Sequence, residues 1–166
     1  MFALAGLFLV VLLVVIIVLA LGVMGIYNSL VQARVSCDTA WSNIDVQLKR
    51  RHDLIPNLVE TVKGYAAHEK TTLEDITKYR SMAMQATTPA DKAAAENQLT
   101  GSLKSLFAVA ENYPDLKASQ QFTQLQGALS QTEDSIQTSR SGYNAAVQNL
   151  NTRVQSFPGS ILAGIF

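Results

Sequence analysis

The sequence predicts an all-α protein in which an N-terminal transmembrane helix continues into an up-and-down antiparallel helical bundle. Three observations carry this. The start is apolar and uncharged, the remainder repeats its apolar residues every 3.5 positions, and helix breakers fall at only a few points. Of 166 residues 48% are apolar, and the 13 basic side chains offset the 13 acidic ones. All of those charges lie between Arg34 and Arg153. The chain therefore divides into an anchor over 1–27, a bundle over 28–157 and a short apolar tail over 158–166.

Residues 2–26 are three glycines and 22 apolar side chains. A helix needs about 20 such residues to cross the hydrocarbon layer. A cleaved secretory signal fits less well, because no Lys or Arg precedes the run and signal cores extend only ~7–15 residues. Tyr27 and Asn28 then mark the membrane interface, where a ring with a polar tip is favoured. Arg34 follows closely, and the positive-inside tendency puts the bundle in the cytoplasm with the N-terminus outside.

Beyond the span, Pro56, Thr88-Pro89 and Tyr113-Pro114 divide the chain into four helical segments. The first carries Tyr27, Leu30, Arg34, Cys37, Trp41, Ile44 and Leu48 on one stripe and ends at Lys49-Arg50-Arg51-His52, cations suited to a helix C-terminus. Asp53 then caps a second helix with Pro56 in its first turn. That helix carries Val59, Val62, Ala66, Leu73, Ile76 and Ala83. The third opens on Thr88 as N-cap and Pro89 as first residue, and carries Leu99, Leu103, Leu106, Ala110 and Tyr113. The fourth runs about 40 residues, ~60 Å at the helical rise, from Phe122 through Leu129, Thr132, Ile136 and Tyr143 to Phe157. Between Ile26 and Asp53 there is no Pro or Gly, so the span should run unbroken into the first bundle helix. Pro158-Gly159 ends the last helix. The tail beyond either packs on the bundle or docks, through Ile161, Leu162, Ile165 and Phe166, on a membrane or a neighbouring subunit.

Composition narrows function. A balanced charge argues against nucleic acid. A single cysteine, Cys37, rules out a disulfide scaffold and reads as a small core residue, as Trp41 reads as core. His52 and His68 lack a His at helical spacing, and no Glu stands three positions before either, so neither a helical metal pair nor a di-iron motif is present. His68-Glu69 reads as solvated surface. No phosphate-loop, nucleophile-elbow or zincin pattern occurs. No enzyme activity, cofactor or small-molecule substrate is therefore expected; a hydrolase would need a buried polar pocket with strongly shifted acids. The candidate partner contact is Lys49, Arg50, Arg51, Asp53 and Asn57, taken as the bundle tip.

The stretch 40–66, AWSNIDVQLKRRHDLIPNLVETVKGYA, resembles the signature of the LemA family of bacterial membrane proteins. ENYPDLKA over 111–118, Tyr143-Asn144 with Asn151, and Phe157-Pro158 agree with it. The resemblance covers essentially the whole chain. It implies an N-terminal anchor followed by a helical bundle, with the N-terminus outside and the bundle inside. Members usually carry a longer C-terminal tail, and one magnetosome relative is linked to building membrane compartments. The resemblance brings no catalytic residues. The expected function is thus a non-enzymatic scaffold or self-assembling, membrane-organising protein in the bacterial cell membrane. Its partners would be the lipid bilayer and further copies of itself or another membrane protein. The alternative is a signalling or adaptor subunit that recruits a partner through the bundle tip.

Overall fold

The computed structural model describes residues 2–66 and 68–164, without the side chains of residues 2–5 and 162. Among the described residues six helices follow one another: α1 (Phe2–Lys63), α2 (Lys70–Gln85), α3 (Pro89–Ala110), α4 (Pro114–Ala118), α5 (Gln120–Gln155) and α6 (Gly159–Ala163). As the lack of breakers between Ile26 and Asp53 implied, the apolar segment passes without interruption into the bundle part of α1. From Leu7 to Met24 every large apolar side chain is 43–67% exposed. A helix that is apolar all round and left exposed by the described residues is suited to hydrocarbon. The chain forms two compact units, Met1–Ile44 with Thr138–Phe166, and Asp45–Gln137.

In the Asp45–Gln137 unit the core is built by Ile55, Leu58, Val59 and Val62 of α1, Leu73 and Ile76 of α2, and Leu99, Leu103 and Leu106 of α3. Leu116 of α4 and Phe122 and Leu129 of α5 complete it. Thr132 is fully buried on the same stripe, and its hydroxyl is satisfied by the Ala128 carbonyl at 2.7 Å. Asp45 pairs with Lys92 at 2.5 Å and Arg51 with Thr100 at 2.8 Å. Residue numbers rise together in those pairs, so α1 and α3 are parallel. Phe107 packs edge-on against Phe122 near the start of α5, whereas Thr100 shares Arg51 with the later Glu133. α5 therefore runs antiparallel to α3, as an up-and-down bundle requires.

Thr88 caps α3 as expected. Its hydroxyl oxygen accepts from the Asp91 N–H at 3.1 Å and donates to the Asp91 carboxylate at 2.6 Å, with Pro89 in the first turn. Two other boundaries differ from the sequence reading. The fourth segment is split at Ser119, whose extended backbone separates α4 from α5; its Oγ accepts from Phe122 N at 3.4 Å, an N-cap contact that starts a new helix. The end of α3 is tied to the start of α2 by the Tyr113 hydroxyl, which donates to Glu69 at 2.9 Å. That hydrogen bond to a carboxylate, helped by burial, pushes the phenol above its ordinary value.

The larger correction concerns Pro56. The expected helix end at Lys49–His52, with Asp53 as cap, does not exist: α1 continues to Lys63 with Pro56 inside it, and the turn begins at Gly64 and Tyr65 instead. Proline inside a helix leaves the carbonyl four residues earlier without its donor. Here that carbonyl belongs to His52, and Arg80 of α2 supplies the missing bond, its Nε donating to His52 O at 2.8 Å. A tertiary donor thus replaces the backbone donor that proline removes. Two substitutions should therefore be coupled. Arg80→Met is expected to cost about 1–3 kcal/mol by orphaning that carbonyl. In a Pro56→Ala background, where residue 56 regains its N–H, the same change should cost less than half as much. Urea melts of the four chains of this cycle check it; equal costs in both backgrounds would contradict the compensation.

In the other unit, Ala33, Cys37 and Ile44 form the buried column of α1. Trp41 meets Tyr143 edge-on, with ring centroids 5.3 Å apart. Cys37 is a buried, unbridged thiol and Trp41 is half-buried, matching the core roles read from their spacing.

Candidate functional site

The polar side chains that the fold concentrates lie inside the Asp45–Gln137 unit. Arg51 is 1% exposed and Glu96 fully buried. The column of α1 that carries Leu48, Ile55, Leu58 and Val62 passes through Arg51, so helical periodicity alone turns this guanidinium inward. On α3 the column Leu99, Leu103, Leu106 and Ala110 extends back to Glu96 by the same spacing. The two charges therefore meet, and the Arg51 Nη2 donates to Glu96 Oε2. Nη1 donates to the Glu133 carboxylate of α5 at 2.7 Å and to the Thr100 hydroxyl at 2.8 Å. His52 Nε2 stands 2.8 Å from the other Glu96 oxygen, and neither atom has a better-aligned hydrogen-bond partner.

Burial alone pushes the Glu96 carboxyl up. The His52 contact and the Arg51 charge outweigh that effect and hold it below the ordinary carboxylate range. Glu96 is therefore ionised at neutral pH, which makes it a poor proton acceptor. The Thr100 hydroxyl accepts from Arg51 rather than facing a base. The shift runs opposite to the raised acid that a hydrolytic site would want, so the arrangement is an ion network tying α1, α3 and α5 together. Arg51, Thr100 and Glu133 also reach a groove of about 510 Å³ between α3 and α5, with Leu103, Phe107 and Leu129 on its apolar wall.

Four of the five sequence-predicted contact residues share one exposed face of α1, since positions 49, 50, 53 and 57 recur at helical spacing. Lys49, Arg50, Asp53 and Asn57 are exposed, and they lie along the flank of α1 because the helix continues past them, not at a tip. Arg51 is removed from that patch altogether: its side chain is committed to Glu96 and Glu133. Glu96, Glu133 and Arg80 were missed. Their charge suggested solvent, although Arg51 and Glu96 each fall on an apolar column that could have revealed them. Tyr27 and Asn28 are exposed helical residues directly after the apolar segment. Ile161 is exposed; the Leu162 side chain, Ile165 and Phe166 lie outside the described residues.

Comparison with known families decides the assignment, since the family model for LemA matches residues 40–166. The chain belongs to the LemA family. Among curated relatives, Protein LemA of Metamycoplasma hominis is 30% identical over 134 residues, covering 78% of this chain and 60% of the relative. Magnetosome protein MamQ 2 of Paramagnetospirillum magneticum is 26% identical over 165 residues, covering 84% and 61%. Magnetosome protein MamQ of Magnetospirillum gryphiswaldense is 23% identical over the same length, with the same coverage. This LemA-family chain spans about three-fifths of the length of these relatives. The family and the fold together make it a membrane-associated helical protein, and none of these names denotes a reaction.

Proposed function

We propose that this LemA-family protein is a non-enzymatic, membrane-anchored bundle that organises its membrane by assembling laterally with further copies of itself, with the bundle on the cytoplasmic side. The observation that carries this is an apolar face immediately beyond the span. Val31 and Val35 are 42% and 56% exposed, one turn apart, on the side of α1 opposite the buried Ala33 and Cys37. Methyl groups held in water beside a bilayer favour association with a like surface, and confinement to the membrane raises the effective concentration of such surfaces. The spans themselves allow close approach. A Cβ added at Gly6, Gly22 or Gly25 would meet nothing within 4 Å, and small residues let neighbouring helix backbones pack tightly. The cytoplasmic side follows from Arg34 and the later basic residues, and the relatives named as magnetosome proteins suit a membrane role.

A photo-crosslinking amino acid at position 35, activated in living cells, tests the proposal. The expected product is a dimer of this chain, with the crosslinked peptide containing residues near 31–35. Reproducible adducts to a foreign protein, without any self-adduct, would replace self-assembly with the adaptor reading.

A further inference from the structure

The unit formed by Met1–Ile44 and Thr138–Phe166 carries a second apolar surface that the span does not explain. Within it, α1 and α5 are held in register at two points. Trp41 meets Tyr143, and Arg153 donates to the Ser29 carbonyl at 3.1 Å and to the Ser29 hydroxyl. Numbers rise along α1 as they fall along α5, so the helices are antiparallel. The chain beyond Arg153 therefore returns toward the apolar segment that precedes Ser29. α5 continues two residues to Gln155, about 3 Å of helix, so the turn that carries Phe157 begins near the last turn of that segment. Burial along α1 agrees: positions 6–25 are exposed, and Ile26 is the first that is half-covered.

At that level the chain turns into α6. Gly159 is buried, and a Cβ there would collide with the Arg153 carbonyl, so only glycine lets α6 fold back so closely on the end of α5. The turn leaves Phe157 81% and Ile161 58% exposed, which rules against these two side chains packing on the bundle. Residues 154–166 contain no charged side chain, and Arg153, the last cation, sits beside Ser29 just outside the apolar segment.

We propose that Phe157 and Ile161, presented by the turn into α6, insert into the interfacial layer of the bilayer that α1 crosses, giving the protein a second lipid contact. Aromatic and aliphatic side chains held at the edge of the hydrocarbon are stabilised there, and a flanking arginine can meet lipid phosphates. The inference rests on the span and is independent of self-assembly.

The test uses the full chain with Cys37→Ala and one nitroxide, attached through Phe157→Cys or Ile161→Cys, in vesicles of phosphatidylethanolamine and phosphatidylglycerol. Labels at Leu19→Cys and Gln131→Cys mark hydrocarbon and water. Collision with oxygen should exceed collision with a water-soluble nickel chelate at 157 and 161, as at 19 and in contrast to 131. Water-like collision at both positions, with a lipid-like label at 19, would overturn this proposal and leave the span standing. A water-like label at 19 would overturn both. Shielding from both reagents, or spin–spin broadening, would place the segment against protein and equally overturn it.

Discussion

Arg51→Met is expected to destabilise the Asp45–Gln137 unit by about 3–5 kcal/mol, the range seen when one partner of a buried ion pair is removed. The reason is what remains rather than what is lost. Glu96, fully buried, would keep its negative charge with only His52 nearby, and the Thr100 hydroxyl and Glu133 would lose their donor. Removing both charges together should be milder, because an apolar pair of similar volume carries no desolvation cost. Arg51→Met with Glu96→Leu should therefore recover most of the loss. Acid should act through the same network. The folded carboxyl is held below its ordinary range, so the unfolded chain binds the proton more readily. The stabilisation is complete above the unfolded value of about 4.3 and is lost as pH falls through the lower folded value. Glu96→Gln should flatten that acid limb. Chemical melts at neutral pH and at pH 3–5 read both effects. A cost for Arg51→Met within about 0.5 kcal/mol, typical of a surface site, would show that the network does not hold the unit together.

Leu12→Arg combined with Ile16→Arg is expected to release the protein from membranes. Each arginine near the middle of a span costs about 2.5–3.5 kcal/mol on insertion scales. Two together oppose partitioning by roughly four to five orders of magnitude. Both positions lie in the segment of α1 that is exposed all round, outside the core of the Asp45–Gln137 unit, and that unit should melt as before. Alkaline extraction of cell membranes should leave the native chain in the pellet and the double variant in the supernatant. Equal retention of the two would mean that this segment is not the anchor.

These two expectations mark the limits of sequence reading. The span was legible because its signal is local, a run of uncharged residues long enough for the hydrocarbon. The start of α3 was legible for a similar reason, since Thr88 and Pro89 act on their own turn. Pro56 was misread because its effect depends on a donor far along the chain: Arg80, 28 residues beyond His52, supplies the bond to the His52 carbonyl, and nothing near Pro56 announces it. Arg51 was misread and Glu96 missed for a related reason. Charge normally indicates solvent, and two buried charges become tolerable only once they meet. Their positions on apolar columns were nevertheless visible, and that spacing was the better guide.

The central claim, that the anchored bundle assembles laterally, is tested most directly by single-molecule photobleaching of the fluorescently tagged full chain in supported bilayers of rising protein density. Spots should shift from one bleaching step to two or more as density rises, and Val35→Lys should hold them at one step. Single-step bleaching of the native chain at every density, with the protein stably inserted, would contradict it.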